Sequence, residues 1–244
     1  MLAGGCRDID NFDPAREAAL DKSEAIARVS ETGWLARQTP EFRKVFLERV
    51  SLRRYAAGAA IFRAGSPPAG MFGLVEGQWS LQTPPSDVMI SVQGVGRWAG
   101  EAAAMRRQST MISIHALTAC RVLHLSQSDF EIVIRDPECC RTIAALTAEG
   151  LGEAVIVVSN LVQPNGELRV AQRLLTFVGL YGDDRRVFTD ISQADLATMC
   201  GLSRQTLNKV LMAFQEAGVI TTAYRRLEIL DLEALQRIAY RPLP

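Results

Sequence analysis

Hydrophobic positions change their rhythm several times along the chain. Over residues 34–50, Trp34, Leu35, Phe42, Val45, Phe46 and Val50 recur at helical spacing, which predicts one or two short helices lying on another element. Ahead of them, charge alternates with alanine. Residues 12–29 read as a loosely amphipathic helix without a strong apolar stripe, and hence as an arm. Beyond Leu52 the apolar runs become short: Ile61-Phe62, then 71–75, 79–81, 88–92, 110–117 and 122–125. Gly58, Gly65, Gly77, Pro84-Pro85, Gly94 and Gly96 separate them, where turns need a positive or a fixed φ. Short strands at this spacing predict a compact antiparallel β unit. Within 110–117, Ile112, Ile114 and Ala116 share one face and Ser113 and His115 the other.

Helical periodicity returns at Ser126. Ser128 followed by Glu131 predicts a capped helix that ends near Asp136-Pro137. From 138 to about 162, Ile143, Leu146, Gly150, Ala154, Val157 and Leu161 fall at steps of three and four. Such a seam joins two copies of the chain as a coiled coil, or packs the helix on its own β unit; the spacing admits both. Gln163-Pro164-Asn165-Gly166 is a strong stop and turn, and marks a domain boundary.

Residues 191–220, ISQADLATMCGLSRQTLNKVLMAFQEAGVI, carry the most specific pattern. Ser192 with Asp195 opens a first helix whose apolar members are Leu196, Ala197 and Cys200; Gly201 supplies a turn; Ser203 caps a second helix with Leu207, Val210, Leu211 and Phe214 on one face, and Gly218 ends it. This is a helix-turn-helix pattern. Opposite the apolar stripe stand Gln205, Asn208, Lys209 and Met212, with Arg204 on a flank. Amides bond adenine edges and cations reach guanine, so Arg204, Gln205, Asn208 and Lys209 are the candidate base readers. Ser192, Gln193, Ser203, Thr206 and Arg225 are the candidate phosphate contacts. An ordinary helix pair with a polar outer face would need the glycine turn, both caps and the acid-free first turns to coincide by chance. Downstream, 219–222 and 227–230 flank Ala223-Tyr224-Arg225-Arg226, a hairpin with a basic tip, as in a winged helix.

Charge limits how such a module works. The 244 residues hold 27 Lys plus Arg and 27 Asp plus Glu, a formal net charge of zero, so any nucleic-acid binding is local. Over 191–226, Arg204, Lys209, Arg225 and Arg226 outnumber Asp195 and Glu216. That small excess points to a dimer on a two-fold duplex site. Cysteines at 6, 120, 139, 140 and 200 form no disulfide framework, although adjacent Cys139 and Cys140 raise the question of a redox role. No apolar run approaches a bilayer span, and 1–13 lacks the order of a secretory signal, so a cytoplasmic protein without a membrane partner is expected. No Ser-His-Asp, metal-ligand or phosphate-loop constellation appears, which argues against an enzyme. A roll-based ligand or partner binder that does not touch DNA is the rival reading.

Residues 34–231 resemble the Crp/Fnr family of bacterial transcription regulators. The resemblance rests on GLSRQTLNKVL at 201–211, on Tyr55-Ala-Ala-Gly58, Arg63-Ala-Gly65 and Leu74-Val75-Glu76-Gly77, and on Trp98-Ala-Gly100-Glu101. It implies an α+β chain: an N-terminal arm (1–30), a cyclic-nucleotide-binding-like antiparallel β-roll of jelly-roll type (31–136), a long dimerisation helix (137–163) and a winged helix-turn-helix domain (164–244). Homodimerisation, a pseudo-palindromic duplex site and contact with RNA polymerase follow from it.

The family's cassette pairs Gly-Glu, which holds the ribose, with an Arg that holds the cyclic phosphate. Gly100-Glu101 match, but the arginine position falls at Thr110, and the nearest cations are Arg106 and Arg107. The helix positions that meet the base correspond to Ala154 and Val155. The possible effector pocket is therefore Gly100, Glu101, Arg106, Arg107, Thr110, Ala154 and Val155, with cyclic-AMP anchors largely absent and cyclic nucleotide disfavoured as a cofactor. The alternative is a cyclic-nucleotide-responsive regulator that uses Arg106 or Arg107 as its anchor. An iron-sulfur cluster is not expected with Cys6 alone near the N-terminus, nor a haem on His115, His124 or Cys120, and no metal site is predicted.

Overall fold

A computed structural model describes residues 14–85, 88–181, 187–189, 191–223 and 226–240. Three helices open the chain, α1 (Pro14–Glu31), α2 (Gly33–Ala36) and α3 (Pro40–Leu47). The Thr39 hydroxyl accepts the Phe42 N–H at 3.2 Å and Pro40 takes the first turn, which fixes where α3 begins. Trp34, Phe42 and Phe46 then pack edge to face and stacked, with ring centroids 5.3–5.9 Å apart. The expected arm is instead a tethered helix. Ala25 and Val29, one turn apart on α1, are buried in that same cluster, and Asp21 pairs with Arg54 and Arg121. Ile26 packs beside them, partly buried.

The β unit has eight strands: β1 (Ser51–Tyr55), β2 (Ala60–Phe62), β3 (Met71–Glu76), β4 (Trp79–Thr83), β5 (Val88–Gln93), β6 (Trp98–Ala99), β7 (Ser113–Ala116) and β8 (Cys120–Leu125), with α4 (Glu101–Arg106) between β6 and β7. They form two antiparallel four-stranded sheets, ordered β1-β8-β3-β6 and β2-β7-β4-β5. Phe62, Leu74, Trp79, Ile114 and Val122 fill the space between the sheets, while the outer face of the first sheet packs on α1 to α3. β7 is shorter than the periodicity predicts, so Thr110 and Met111 lie before it. Ser113 is buried rather than solvent-facing because its hydroxyl accepts the Ala64 N–H at 3.0 Å.

α5 (Gln127–Val133) is capped by Ser126, not Ser128. The Ser126 hydroxyl accepts the Asp129 N–H at 3.1 Å and bonds the Asp129 carboxylate at 2.5 Å, so the box lies two residues earlier than the sequence suggests. α6 (Pro137–Leu161) begins at the Asp136 cap, which accepts from the Cys139 N–H at 2.9 Å. Its first inward residues, Cys139, Ile143 and Leu146, join the roll core. The seam predicted from Ile143 is thereby split: Ile143 and Leu146 face the chain's own roll, whereas Ala154 and Leu161 are exposed. Among the exposed apolar positions, which also include Ala145, Ala154, Ile156 and Leu161, a row of Ala144, Ala148, Leu151, Val155, Val158 and Val162 runs at alternating steps of four and three.

α6 also corrects the expectation about membrane spans. An 18-residue window has mean hydropathy 1.5, long and apolar enough to cross a bilayer by length and composition. On the same helix, Glu149 pairs with Arg37 at the end of α2 at 2.9 Å, and Glu153 with Arg97 of the roll at 2.5 Å.

The C-terminal part comprises α7 (Gly166–Tyr181), β9 (Val187–Thr189), α8 (Gln193–Met199), α9 (Arg204–Glu216), β10 (Ile220–Ala223), β11 (Arg226–Ile229) and α10 (Leu232–Ala239), with a three-stranded sheet ordered β10-β11-β9. Asn165, in the predicted break, accepts the Glu167 N–H at 2.8 Å and so starts α7. Val170, Leu174, Phe177, Leu196, Leu207, Phe214 and Leu235 form one core with the roll residue Val92.

Candidate nucleic-acid interface and effector cavity

The two caps of the helix-turn-helix sit where the sequence places them. The Ser192 hydroxyl accepts the Asp195 N–H at 3.1 Å, and the Ser203 hydroxyl the Thr206 N–H at 3.0 Å. Gly201, at φ +60, makes the turn between them, and Arg169 of α7 donates to the carbonyls of Cys200 (3.3 Å) and Gly201 (3.0 Å). A side chain at 201 would be strained by that φ and would crowd the Arg169 guanidinium. Leu207, Val210, Leu211 and Phe214 are buried as predicted. The first two turns of α9 therefore stand off the domain with Arg204, Gln205, Thr206 and Lys209 exposed and no acidic residue among them.

Asn208 departs from the simple picture. It is half-buried, and its Oδ1 is buried with no hydrogen-bond partner, so its carbonyl faces the protein and only its amide nitrogen is left to contact an outside group. Gln193 is exposed beside Ser192, and both border a cleft of about 660 Å³ that also takes in Arg204, Thr222 and Arg226. Arg226 donates to Glu228 at 3.1 Å, which cancels part of the local positive charge. Arg225 lies outside the described residues.

The second site is a cavity of about 750 Å³ between the roll and α6. Gly100, Glu101, Arg106 and Thr110 line it. Gly100 adopts φ +100, and a Cβ there would lie 2.4 Å from the Gly70 carbonyl oxygen, so this backbone can start α4 only with glycine. Glu101 follows with its Oε2 buried and unpartnered; burial raises its carboxyl above the ordinary range, opposed by a backbone hydrogen bond and by Arg97. Thr110, at the arginine position of the cassette, spends its hydroxyl on the Arg63 carbonyl at 2.6 Å.

Three of the predicted pocket residues are elsewhere. Arg107 projects away from the cavity, its Nε donating to Glu131 at 2.8 Å, and this pair holds the Glu131 carboxyl below its usual range. Ala154 and Val155 face outward. At about 100° per residue Val155 points away from Gly150 and Glu153, whereas Ala154 lies one turn beyond Gly150 and is exposed past the end of the cavity wall, to which α6 contributes Leu146, Glu149, Gly150 and Glu153. Sequence reasoning missed Arg97, Trp98 and Glu153. Arg97 Nη1 and Nη2 reach the two Glu153 oxygens at 2.8 and 2.5 Å, while the Arg97 Nε and the Trp98 indole N–H are buried without partners. Only the pairing of a lone arginine with a lone glutamate on an apolar helix face would have signalled them.

The residues proposed for haem have other partners. His124 stacks on Phe72 at 4.4 Å and its Nε2 lies 2.7 Å from the Ala69 carbonyl oxygen; burial lowers its pKa. Cys120 donates to the Gln78 carbonyl at 3.2 Å, and His115 lies 3.4 Å from Arg63. Cys139 and Cys140 are both free thiols, and burial pushes the Cys139 thiol up, away from the reactive thiolate.

Comparison with known proteins assigns both halves. Residues 168–238 match the family model described as a Crp-like helix-turn-helix domain, and 52–136 match the cyclic nucleotide-binding domain. The chain is 25% identical over 228 residues to the HTH-type transcriptional regulator Cmr of Mycobacterium tuberculosis, covering 91% of this chain and 90% of that one. It is 26% identical over 205 residues to the Cyclic AMP receptor protein of Thermus thermophilus, covering 82% and 94%. The solved structure of FixK2 from Bradyrhizobium japonicum superposes with a TM-score of 0.69 at 18% identity, over 80% of this chain and 99% of that one, and so shares the fold. With a cyclic-nucleotide-binding-like roll, a long helix and an exposed amide- and cation-bearing recognition helix, the chain belongs to the Crp/Fnr family of DNA-binding transcription regulators.

Proposed function

We propose that the chain works as a cytoplasmic homodimer on a pseudo-palindromic duplex site, with an effector other than cyclic AMP in its roll cavity. The observation that carries the dimer is the exposed apolar row on α6. Leu151, Val155 and Val158 are 67%, 57% and 61% exposed at coiled-coil spacing, and a second copy of the same helix covers such a row. Ala144 and Ala148 at the start of the row let the helices approach closely. Two recognition helices also double the few free cations that one copy brings to phosphates. RNA polymerase belongs to this reading as the partner a promoter-bound dimer reaches.

The effector reading rests on Thr110. A cyclic phosphate wants a bidentate guanidinium, and Thr110 has no charge and a hydroxyl already bonded. The charged residues lining the cavity are four carboxyls, Glu31, Glu101, Glu149 and Glu153, and three guanidiniums, Arg37, Arg97 and Arg106, of which Arg37 and Arg97 are paired with Glu149 and Glu153. An anion gains little there. Arg106 favours the alternative, since it lines the cavity, but it is exposed and engages Gln108 at 2.7 Å.

Thermal unfolding of the purified protein with cyclic AMP and cyclic GMP tests the effector reading. A bound ligand at 100 times its Kd adds about 2.7 kcal/mol to the folded state, so a clear upward shift with either nucleotide overturns it. Sedimentation equilibrium tests the dimer; a monomer at micromolar concentration overturns that part.

A further inference from the structure

Among the described residues, Arg173 of α7 is an arginine buried to 2% exposure with no carboxylate in ion-pair range. Its Nη2 donates to the Met199 carbonyl at 2.6 Å, its Nη1 to the Ile90 carbonyl at 3.4 Å, and its Nε meets no acceptor. Burial lowers its pKa, yet a guanidinium stays charged, so backbone dipoles must hold the cation in place of a counter-ion. Met199 ends α8, where carbonyls lack helical partners and the helix dipole is negative. Ile90 belongs to the roll.

The Ile90 carbonyl is available for a reason. β5 is the edge strand of its sheet, and its register with β4 slips: Leu81 faces Ser91 while Gln82 faces Met89, so Ile90 has no partner across the pair. An extra residue in an edge strand bends it and turns backbone groups out of the ladder. Around this point Val92 is fully buried, and Met89 and Leu117 pack, against the core of the DNA-binding domain. A few residues on, β5 runs through Gly94 into Val95, Gly96 and Arg97 on the cavity wall, where Arg97 holds Glu153.

We propose that Arg173 and the Ile90 bulge form an interdomain latch, which fixes the first helix of the helix-turn-helix on the edge strand of the roll and, through residues 90–97, ties its seating to the roll cavity. The first half stands on contacts alone; the second rests on the reading of the cavity as an effector site. One cation thus joins three elements, α7, α8 and β5, and adds directional hydrogen bonds to the apolar contact around Val92.

Amide hydrogen exchange on the full-length protein tests it. Arg173→Met keeps the stem and removes the donors, and Val92→Ser loosens the same contact from the roll side. In both, protection at 88–93 and in the last turn of α8 is expected to fall about tenfold or more, with α9 and β8 unchanged. Arg173→Lys, a point charge that reaches one carbonyl at a time, is expected to fall between. Unchanged protection at 88–93 in both variants overturns the latch. So does a loss spread evenly over 166–239, which is what a residue needed only for packing gives. For the link to the cavity, Arg97→Met is expected to speed exchange at 88–93; no change there overturns the link while leaving the latch, and the effector reading, standing, because no arm uses a ligand.

Discussion

Arg97 grips Glu153 with both terminal nitrogens, at 2.8 and 2.5 Å, and so pins α6 to the turn that follows β5. Both side chains are about a quarter to a third exposed, at 23% and 34%. Glu153→Gln keeps the shape and removes the charge; it is expected to cost about 1 kcal/mol, the upper range for a partly screened pair. Urea unfolding at low and high salt checks this, and the difference between wild type and variant should shrink as salt rises.

Base reading and phosphate contact separate on α9. Gln205→Ala removes an exposed amide and should relax discrimination at one half-site position by about 1 to 3 kcal/mol. Thr206→Ala should weaken all duplexes alike. Binding to a selected site and to random DNA, compared at one salt concentration, tells them apart; equal losses on both DNAs for both variants sink the assignment.

Ser203 does structural work at the same place. Its cap on the Thr206 N–H sets the start of α9, so Ser203→Ala should lower stability by about 1 kcal/mol, measured by chemical denaturation without DNA.

Val155 stands at the centre of the exposed row on α6. Val155→Glu places two like charges in the proposed interface, where truncation of a central residue alone costs about 2 kcal/mol or more. A shift from dimer to monomer in light scattering, with the circular dichroism of the roll unchanged, is the expected result.

Acid and base act oppositely on two buried groups. His124 has a lowered pKa in the fold, so the unfolded chain takes up protons first; stability is present above the ordinary histidine pKa and is lost as pH falls through it. Glu101 has a raised pKa, so its contribution is present at low pH and is lost as pH rises from the ordinary glutamate value through the folded one. Glu101→Gln should therefore remove a destabilising contribution at pH 8 and change little at pH 4, while His124→Gln flattens the loss between pH 7 and 5. Melting temperatures measured from pH 4 to pH 8 check both signs.

Much of this architecture was legible because local chemistry decided it. Ser192, Gly201, Ser203 and Gly218 fix the helix-turn-helix through caps and a positive φ, which need no knowledge of distant residues. Gly100-Glu101 was equally readable. The seam on α6 was not, because Ile143 and Leu146 share its periodicity but belong to the roll, and only the packed chain shows which apolar residues are already covered. α7 and β9 escaped the pattern for a related reason: α7 carries Arg173 on its buried side, a residue type that reads as surface. Arg97 and Glu153 lie far apart in sequence, so their pairing belongs to tertiary structure.

The covered edge of β5 bears on how the protein can be taken apart. A chain cut at the Gln163-Pro164 break would uncover Val92, leave the outward carbonyl of Ile90 without its donor and offer a bare strand to any neighbour. The isolated roll is then expected to add to other copies edge to edge, which size-exclusion chromatography of residues 14–163 would reveal. Its C-terminal neighbour serves it as a built-in guard against aggregation, and the two halves are better regarded as one folding partnership than as modules to be exchanged.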